Sequence, residues 1–152
     1  MFPPPLLHFE DFTVGESREF GRYEVTGEEI KAFAREFDPQ PFHLDEEAGK
    51  NSILGGLCAS GWHTGAMLMR MMVEGYLGRS ASLGSPGLDE LKWLKPVYPG
   101  ETLNARFTVM AKRRSSKTPE MGIITMRWEV LSATGDKKME VTGINLIKVR
   151  RP

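Results

Sequence analysis

Asp38 and His43 fall within the run Asp38-Pro39-Gln40-Pro41-Phe42-His43. A carboxylate and an imidazole held close can share acid–base work on one water or one substrate proton. The carboxylate either takes the proton itself or orients and charges the ring. Pro39 and Pro41 stiffen the backbone between the two groups. Downstream, the small glycine-rich run Leu54 to Gly61 leads into a long apolar pattern beginning at Trp62. The first N–H groups of a helix have no partner inside it, and the helix dipole adds partial positive charge there. Gly61 has no side chain to block approach. Its amide, or that of a neighbour such as Ser60 or Trp62, therefore suits a developing oxyanion on a carbonyl. An acid–base pair with an oxyanion donor fits addition or removal of water across a double bond conjugated to a carbonyl.

Other reactive residue types carry less. Cys58 is the single cysteine, so neither an intrachain disulfide nor a cysteine-based metal cluster can form. It reads as a small buried residue, with nothing beside it to make a reactive thiolate. His63, in the first turn of the apolar helix, reads as structural, and His8 falls in a proline-punctuated start. No metal site is expected.

The elements that position these groups follow from local pattern. Ser17 to Val25 reads as a strand. Thr26-Gly27-Glu28-Glu29 is a capping box, with Thr26 as N-cap and Glu29 reaching back to its amide. Ile30, Phe33, Ala34 and Phe37 then recur on one helical face. Asp38 ends that helix, because Pro39 disfavours helical geometry at the residue before it. The next residues are expected to be irregular, with a helical turn or two over 44–50. From about Trp62 to Leu77 the pattern is apolar nearly all round, interrupted by Arg70 and Glu74, which predicts a buried helix stopped at Gly78. Met67, Met69, Met71 and Met72 read as core packing that can also line a channel for a flexible apolar ligand. After a turn-rich loop over 84–87, four strands follow: 88–97, 102–113, 121–134 and 138–149. Polar residues 113–120 read as a hairpin loop.

One strand, helices and then four meandering strands make an α+β domain. The expectation is one domain over 1–152, with residues 1–8 extended and mobile. An antiparallel sheet of about five strands wraps the long helix at about 62–77. Twenty basic and twenty acidic residues give no net charge. That argues against nucleic-acid or membrane-surface binding and removes one barrier to self-association. The start lacks the features of a secretion signal, and the longest apolar run is too short for a bilayer. A soluble cytoplasmic protein is expected. The leftover sheet edge and far face suggest a homodimer or larger homo-oligomer.

The pattern Asp38-Pro-Gln-Pro41-Phe-His43, followed by Gly61 at a helix start, resembles the MaoC-like dehydratases, the R-specific enoyl-CoA hydratases. Their usual motif reads Asp-x-Asn-Pro-x-His. The resemblance extends to the capped helix, the apolar helix and the lead-in Leu94-Lys95-Pro96-Val97-Tyr98-Pro99-Gly100-Glu101. It implies a dimeric hot-dog fold with an acyl-CoA thioester in a tunnel along the subunit interface. Asp38 and His43 would activate the water, Gly61 with Ser60 and Trp62 would bind the thioester carbonyl, and Pro41 and Gln40 would support the loop. No cofactor is implied beyond the coenzyme A of the substrate. Two features differ from the family pattern: Gln40 replaces the usual Asn, and Leu68-Met69-Arg70 has no hydroxyl where some members carry a serine. Lys112, Arg113, Arg114 and Lys117 read as a solvated hairpin, with the phosphates of coenzyme A as the alternative. A hot-dog acyl-CoA thioesterase is a rival reading, although Glu74 is the only acid on the long helix. A non-catalytic acyl-CoA-binding domain is the other.

Overall fold

A computed structural model describes residues 2–151, so Met1 and Pro152 lie outside the described residues. Residues 2–8 form no helix, and Leu6 and Leu7 are tied down. Their amides donate to the Arg79 carbonyl, and Leu7 forms a parallel bridge with Ser80. Strand β1 (Ser17–Glu24) then leads into helix α1 (Gly27–Phe37).

Only half of the expected capping box forms. Thr26 Oγ1 accepts from the Glu29 amide at 3.2 Å. The Glu29 carboxylate turns instead to the Tyr23 hydroxyl, which donates to it, and lies 3.5 Å from His63 Nε2. Tertiary partners outcompete the local return bond. Ile30 and Ala34 are fully buried, Phe33 is half-buried and Phe37 is exposed.

The segment after Asp38 is more regular than its prolines suggest. Pro41 opens a helical turn, α2 (Pro41–Leu44), at the position where its missing N–H is harmless. Asp45 then caps α3 (Glu46–Lys50) by accepting from the Ala48 amide at 2.8 Å.

The long helix α4 runs Gly61–Gly75. Strands β2 (Ser82–Gly84), β3 (Leu88–Trp93), β4 (Thr102–Arg114), β5 (Met121–Ser132) and β6 (Lys137–Lys148) follow. The sheet order is β1-β4-β5-β6-β2, with β3 pairing a different stretch of β6, and every pairing is antiparallel. The sixth strand is β2, three residues at the edge of the segment read as a loop. Strand β3 ends at Trp93, short of Val97, because Pro96 and Pro99 cannot continue the ladder.

The sheet wraps α4 in the hot-dog arrangement. Met67 and Met71 are essentially inaccessible, as are Leu103, Phe107, Ile124 and Met126 on the facing strands. Full burial of one such side chain contributes about 1.5–3 kcal/mol. The helix can sit this close because Gly21 takes a left-handed φ of 82° in β1. A Cβ there would meet the Met71 side chain at 2.7 Å.

Helix α4 is not buried all round. Trp62, Met69 and Val73 are exposed, along with Arg70 and Glu74. Gly78 is not a left-handed stop either. It sits in a 3-10 turn (Leu77–Arg79), pressed so near the Val73 carbonyl that a Cβ would come within 2.6 Å.

Candidate active site

Asp38 is the C-cap of α1, and its amide still donates to Ala34 O at 2.9 Å. Its φ/ψ of −150°/67° turns the chain out of the helix, and α2 begins at Pro41. This places His43 under the Asp38 carboxylate. The extended segment before α4 runs alongside: Cys58 N donates to Phe42 O at 3.3 Å and Ala59 N to Val97 O at 2.9 Å.

The tautomer of His43 follows from one contact. Its Nδ1 lies 2.6 Å from the Cys58 carbonyl, which can only accept. Nδ1 therefore carries the proton, and the neutral ring presents a lone pair at Nε2. That Nε2 is 3.4 Å from Asp38 Oδ2. In this state two acceptors stand side by side with no proton between them, so one water can donate to both.

Asp38 is held in its ionised form. Burial alone would raise its pKa, but Ser60 and Gln40 stabilise the carboxylate, and the net displacement is downward. Gln40 Nε2 donates to Asp38 Oδ1 at 2.6 Å, so the longer amide still braces the carboxylate. Ser60 lowers the proton affinity through its nearby hydroxyl, although the fully buried Oγ makes no hydrogen bond of regular geometry to a described residue. It is the hydroxyl next to Asp38 and His43 in a chain whose helix offers none at 68–70.

Gly61 opens α4, and neither its amide nor that of Trp62 donates to a described residue. Sequence reasoning missed the reason a glycine is needed there. Trp93 Nε1 donates to Gly61 O at 2.8 Å, and a Cβ on Gly61 would lie 2.5 Å from Trp93 Cε2. Trp93 also meets Trp62 edge-on at 5.1 Å between ring centres.

A cavity of about 640 Å³ collects Asp38, Gln40, His43, Ser60, Gly61 and Trp62 on one wall system, with Thr64, Trp93, Lys95 and Val97. Pro41 is not on its surface and acts by starting α2. His63 faces the other way. It stacks on Phe33 with centroids 4.6 Å apart and planes 5° from parallel, and burial pushes its pKa down.

The basic hairpin does not reach this cavity within one chain. Trp93 pairs with Met139 at one end of β6, whereas Met121 pairs with Lys148 at the other. At about 3.4 Å per residue the separation is on the order of 30 Å. Lys112 donates to Phe9 O, and Arg114 to Arg151 O. Lys95 is a cation on the cavity wall, paired with Asp136 at 2.8 Å. Glu74, on which a thioesterase reading depends, is exposed and bound to Arg70.

Comparison with known proteins agrees with this fold. The family model for the MaoC-like domain matches residues 10–127, and the chain belongs to that family. The chain is similar to the MaoC-like dehydratase from Rhodospirillum rubrum, with 40% identity and a TM-score of 0.85 over 96% of this chain and 99% of that one. It is also similar to the uncharacterized protein YdeM of Bacillus subtilis, 32% identical over 136 residues, which are 89% of this chain and 92% of the relative. The R-hydratase PhaJ1 from Pseudomonas aeruginosa shares the fold at 18% identity, with a TM-score of 0.69 over 96% of this chain and 88% of that one. No helix among the described residues is long and apolar enough to cross a membrane.

Proposed function

We propose that this protein is a hydro-lyase that adds water to a 2-enoyl-CoA, or removes it from a 3-hydroxyacyl-CoA. One observation carries the reading: Asp38 Oδ2 and His43 Nε2, both acceptors, stand 3.4 Å apart in a cavity that also holds the unspent Gly61 amide. Membership of the MaoC-like family supports it.

In hydration, a water donates one hydrogen to His43 Nε2 and one to Asp38 Oδ2. Its oxygen bonds to the β-carbon, and a proton passed to the pair is returned to the α-carbon. Negative charge gathers meanwhile on the thioester oxygen, where the Gly61 N–H at the start of α4 stabilises it. Cys58 O fixes the His43 tautomer; Gln40 and Ser60 keep Asp38 ionised. Pro41 supports the loop, and Trp62 and Trp93 wall the cavity. Coenzyme A belongs to the substrate, and the reading uses no metal or redox cofactor.

The working form in this reading is a cytoplasmic homodimer or larger homo-oligomer. Trp62, Met69 and Val73 on α4 are exposed, as are Leu88, Trp93 and Leu94 along the sheet edge. Together they form the kind of apolar surface that a partner covers.

The test is hydration of crotonyl-CoA by purified wild type, Asp38→Asn and His43→Ala. Each substitution is expected to lower kcat/KM by about 10²–10⁴-fold, the range for loss of a positioned acid–base group. Full activity in either folded variant would overturn the assignment.

A further inference from the structure

A second cavity, about 350 Å³, opens between α4 and the side of the sheet formed by β3 and β6. Its walls are mainly apolar, with Leu68, Met69, Met72, Leu91, Val141 and Ile144 among them. Trp62 lines both this cavity and the one that holds Asp38 and His43, so the two adjoin at its indole. Two other polar side chains stand on its wall. Ser85 is exposed and bonds its own turn at Gly87, whereas Asn145 is 5% exposed.

The orientation of the Asn145 amide follows from a relay behind it. Trp128 Nε1 lies 2.8 Å from the Tyr76 hydroxyl, and an indole N–H can only donate. Tyr76 accepts there and gives its own proton to Asn145 Oδ1 at 3.0 Å, with Met126 Sδ as the weaker acceptor at 3.8 Å. The donor-only indole thus sets the direction of the chain and points the Asn145 oxygen at Tyr76. Nδ2, with two N–H groups, is left on the other side. The bond from Tyr76 uses Oδ1 alone, and Nδ2 makes no hydrogen bond to a described residue. A nine-tenths-buried amide on the wall of a mainly apolar cavity therefore keeps two unspent donors.

With the acyl tail seated in this cavity, we propose that Asn145 is a specificity residue, donating to an oxygen carried by that tail. The inference rests on the acyl-thioester reading above. A hydrocarbon tail would strip water from the amide and give nothing back, whereas an ether, hydroxyl or keto oxygen restores the bond. No lysine or arginine lines the cavity, so the favoured acceptor is neutral rather than a carboxylate. Tyr76 is a positioning residue, because it holds the amide in the donating orientation.

The experiment compares binding of saturated acyl-CoA thioesters by calorimetry, so it does not depend on turnover. Octanoyl-CoA is set against analogues in which single methylenes beyond the β-carbon are replaced by oxygen, one position at a time. Wild type is expected to bind the analogue at one position about tenfold more tightly than octanoyl-CoA, the return on one recovered hydrogen bond. Asn145→Leu should bring that ratio to one or below, and Tyr76→Phe, which frees the amide to turn, should reduce it. The ratio is read on a single preparation, so the amount of folded protein cancels. If neither variant folds, the wild-type series alone decides. Acyl-CoA binding with no preferred oxygen position would overturn the Asn145 assignment alone, and so would an unchanged preference in Asn145→Leu. Failure to bind any of these thioesters would overturn both it and the acyl-thioester reading. Crotonyl-CoA hydration in the same preparation reports separately on the reaction.

Discussion

Gly61→Ala should cost stability only while Trp93 is present. A Cβ at position 61 would lie 2.5–2.8 Å from three atoms of the Trp93 indole. The ring must retreat by about an ångström to reach ordinary contact. That retreat breaks the Trp93 Nε1–Gly61 O bond of 2.8 Å and the edge-on packing on Trp62. Each contributes on the order of 1 kcal/mol. Trp93 is 45% exposed, so water can satisfy its freed N–H, which brings the expected loss to about 1–2 kcal/mol. With Trp93→Ala as background, the three atoms nearest the added methyl are gone, and alanine is the better helix former by up to about 1 kcal/mol. The cost should then vanish or reverse. Urea unfolding of wild type, the two single variants and the double variant closes the cycle, with a coupling of about 1–3 kcal/mol expected. If Gly61→Ala costs the same with and without Trp93, the indole is not what keeps this position a glycine.

Two further outcomes follow from the electrostatics. Asp38 is held below the usual carboxylate range, so it stays ionised as pH falls and is lost only on passing through that lowered value. Gln40→Leu removes one of the groups holding it down, so the pH at which the Asp38 carboxylate takes up a proton, followed by NMR titration of its side-chain carbon, should rise. An unchanged titration would mean that the 2.6 Å contact does not govern Asp38. Burial pushes the Cys58 thiol up, and the side chain is 2% exposed. A disulfide thiol reagent should therefore react slowly with native protein and at the rate of a free thiol in urea; equal rates would contradict that burial.

Much of this architecture is legible in local sequence because local rules decide it. The Thr26 cap, the halt of α1 at Asp38, the long apolar helix and the alternating strands each need only neighbours along the chain. The remainder depends on residues that meet only after folding. Glu29 satisfies its local rule on paper, yet Tyr23 and His63 claim its carboxylate. Helix α4 reads as buried on every side, but a sheet closes on only part of it. What remains is the stripe of Trp62, Met69 and Val73. Three site contacts have no signature along the sequence: Trp93 on Gly61, the Cys58 carbonyl on His43, and the Trp128–Tyr76–Asn145 relay. Two of these use a backbone carbonyl, which every residue possesses.

The Cys58 contact changes how the Asp38–His43 motif works. Spacing alone allows the carboxylate to hold the imidazole N–H, with the far nitrogen as base. In this fold the backbone takes over that holding role at Nδ1, and Asp38 faces Nε2 instead. A direct hydrogen bond between the pair would then need a second proton on the ring or one on the carboxylate. Gln40 and Ser60 oppose the latter by stabilising the charged carboxylate. The carboxylate and the neutral ring are left with two lone pairs aimed into one cavity, an arrangement that a water molecule with two hydrogens completes. The two-acceptor arrangement thus comes from the Cys58 carbonyl as much as from the two side chains of the motif.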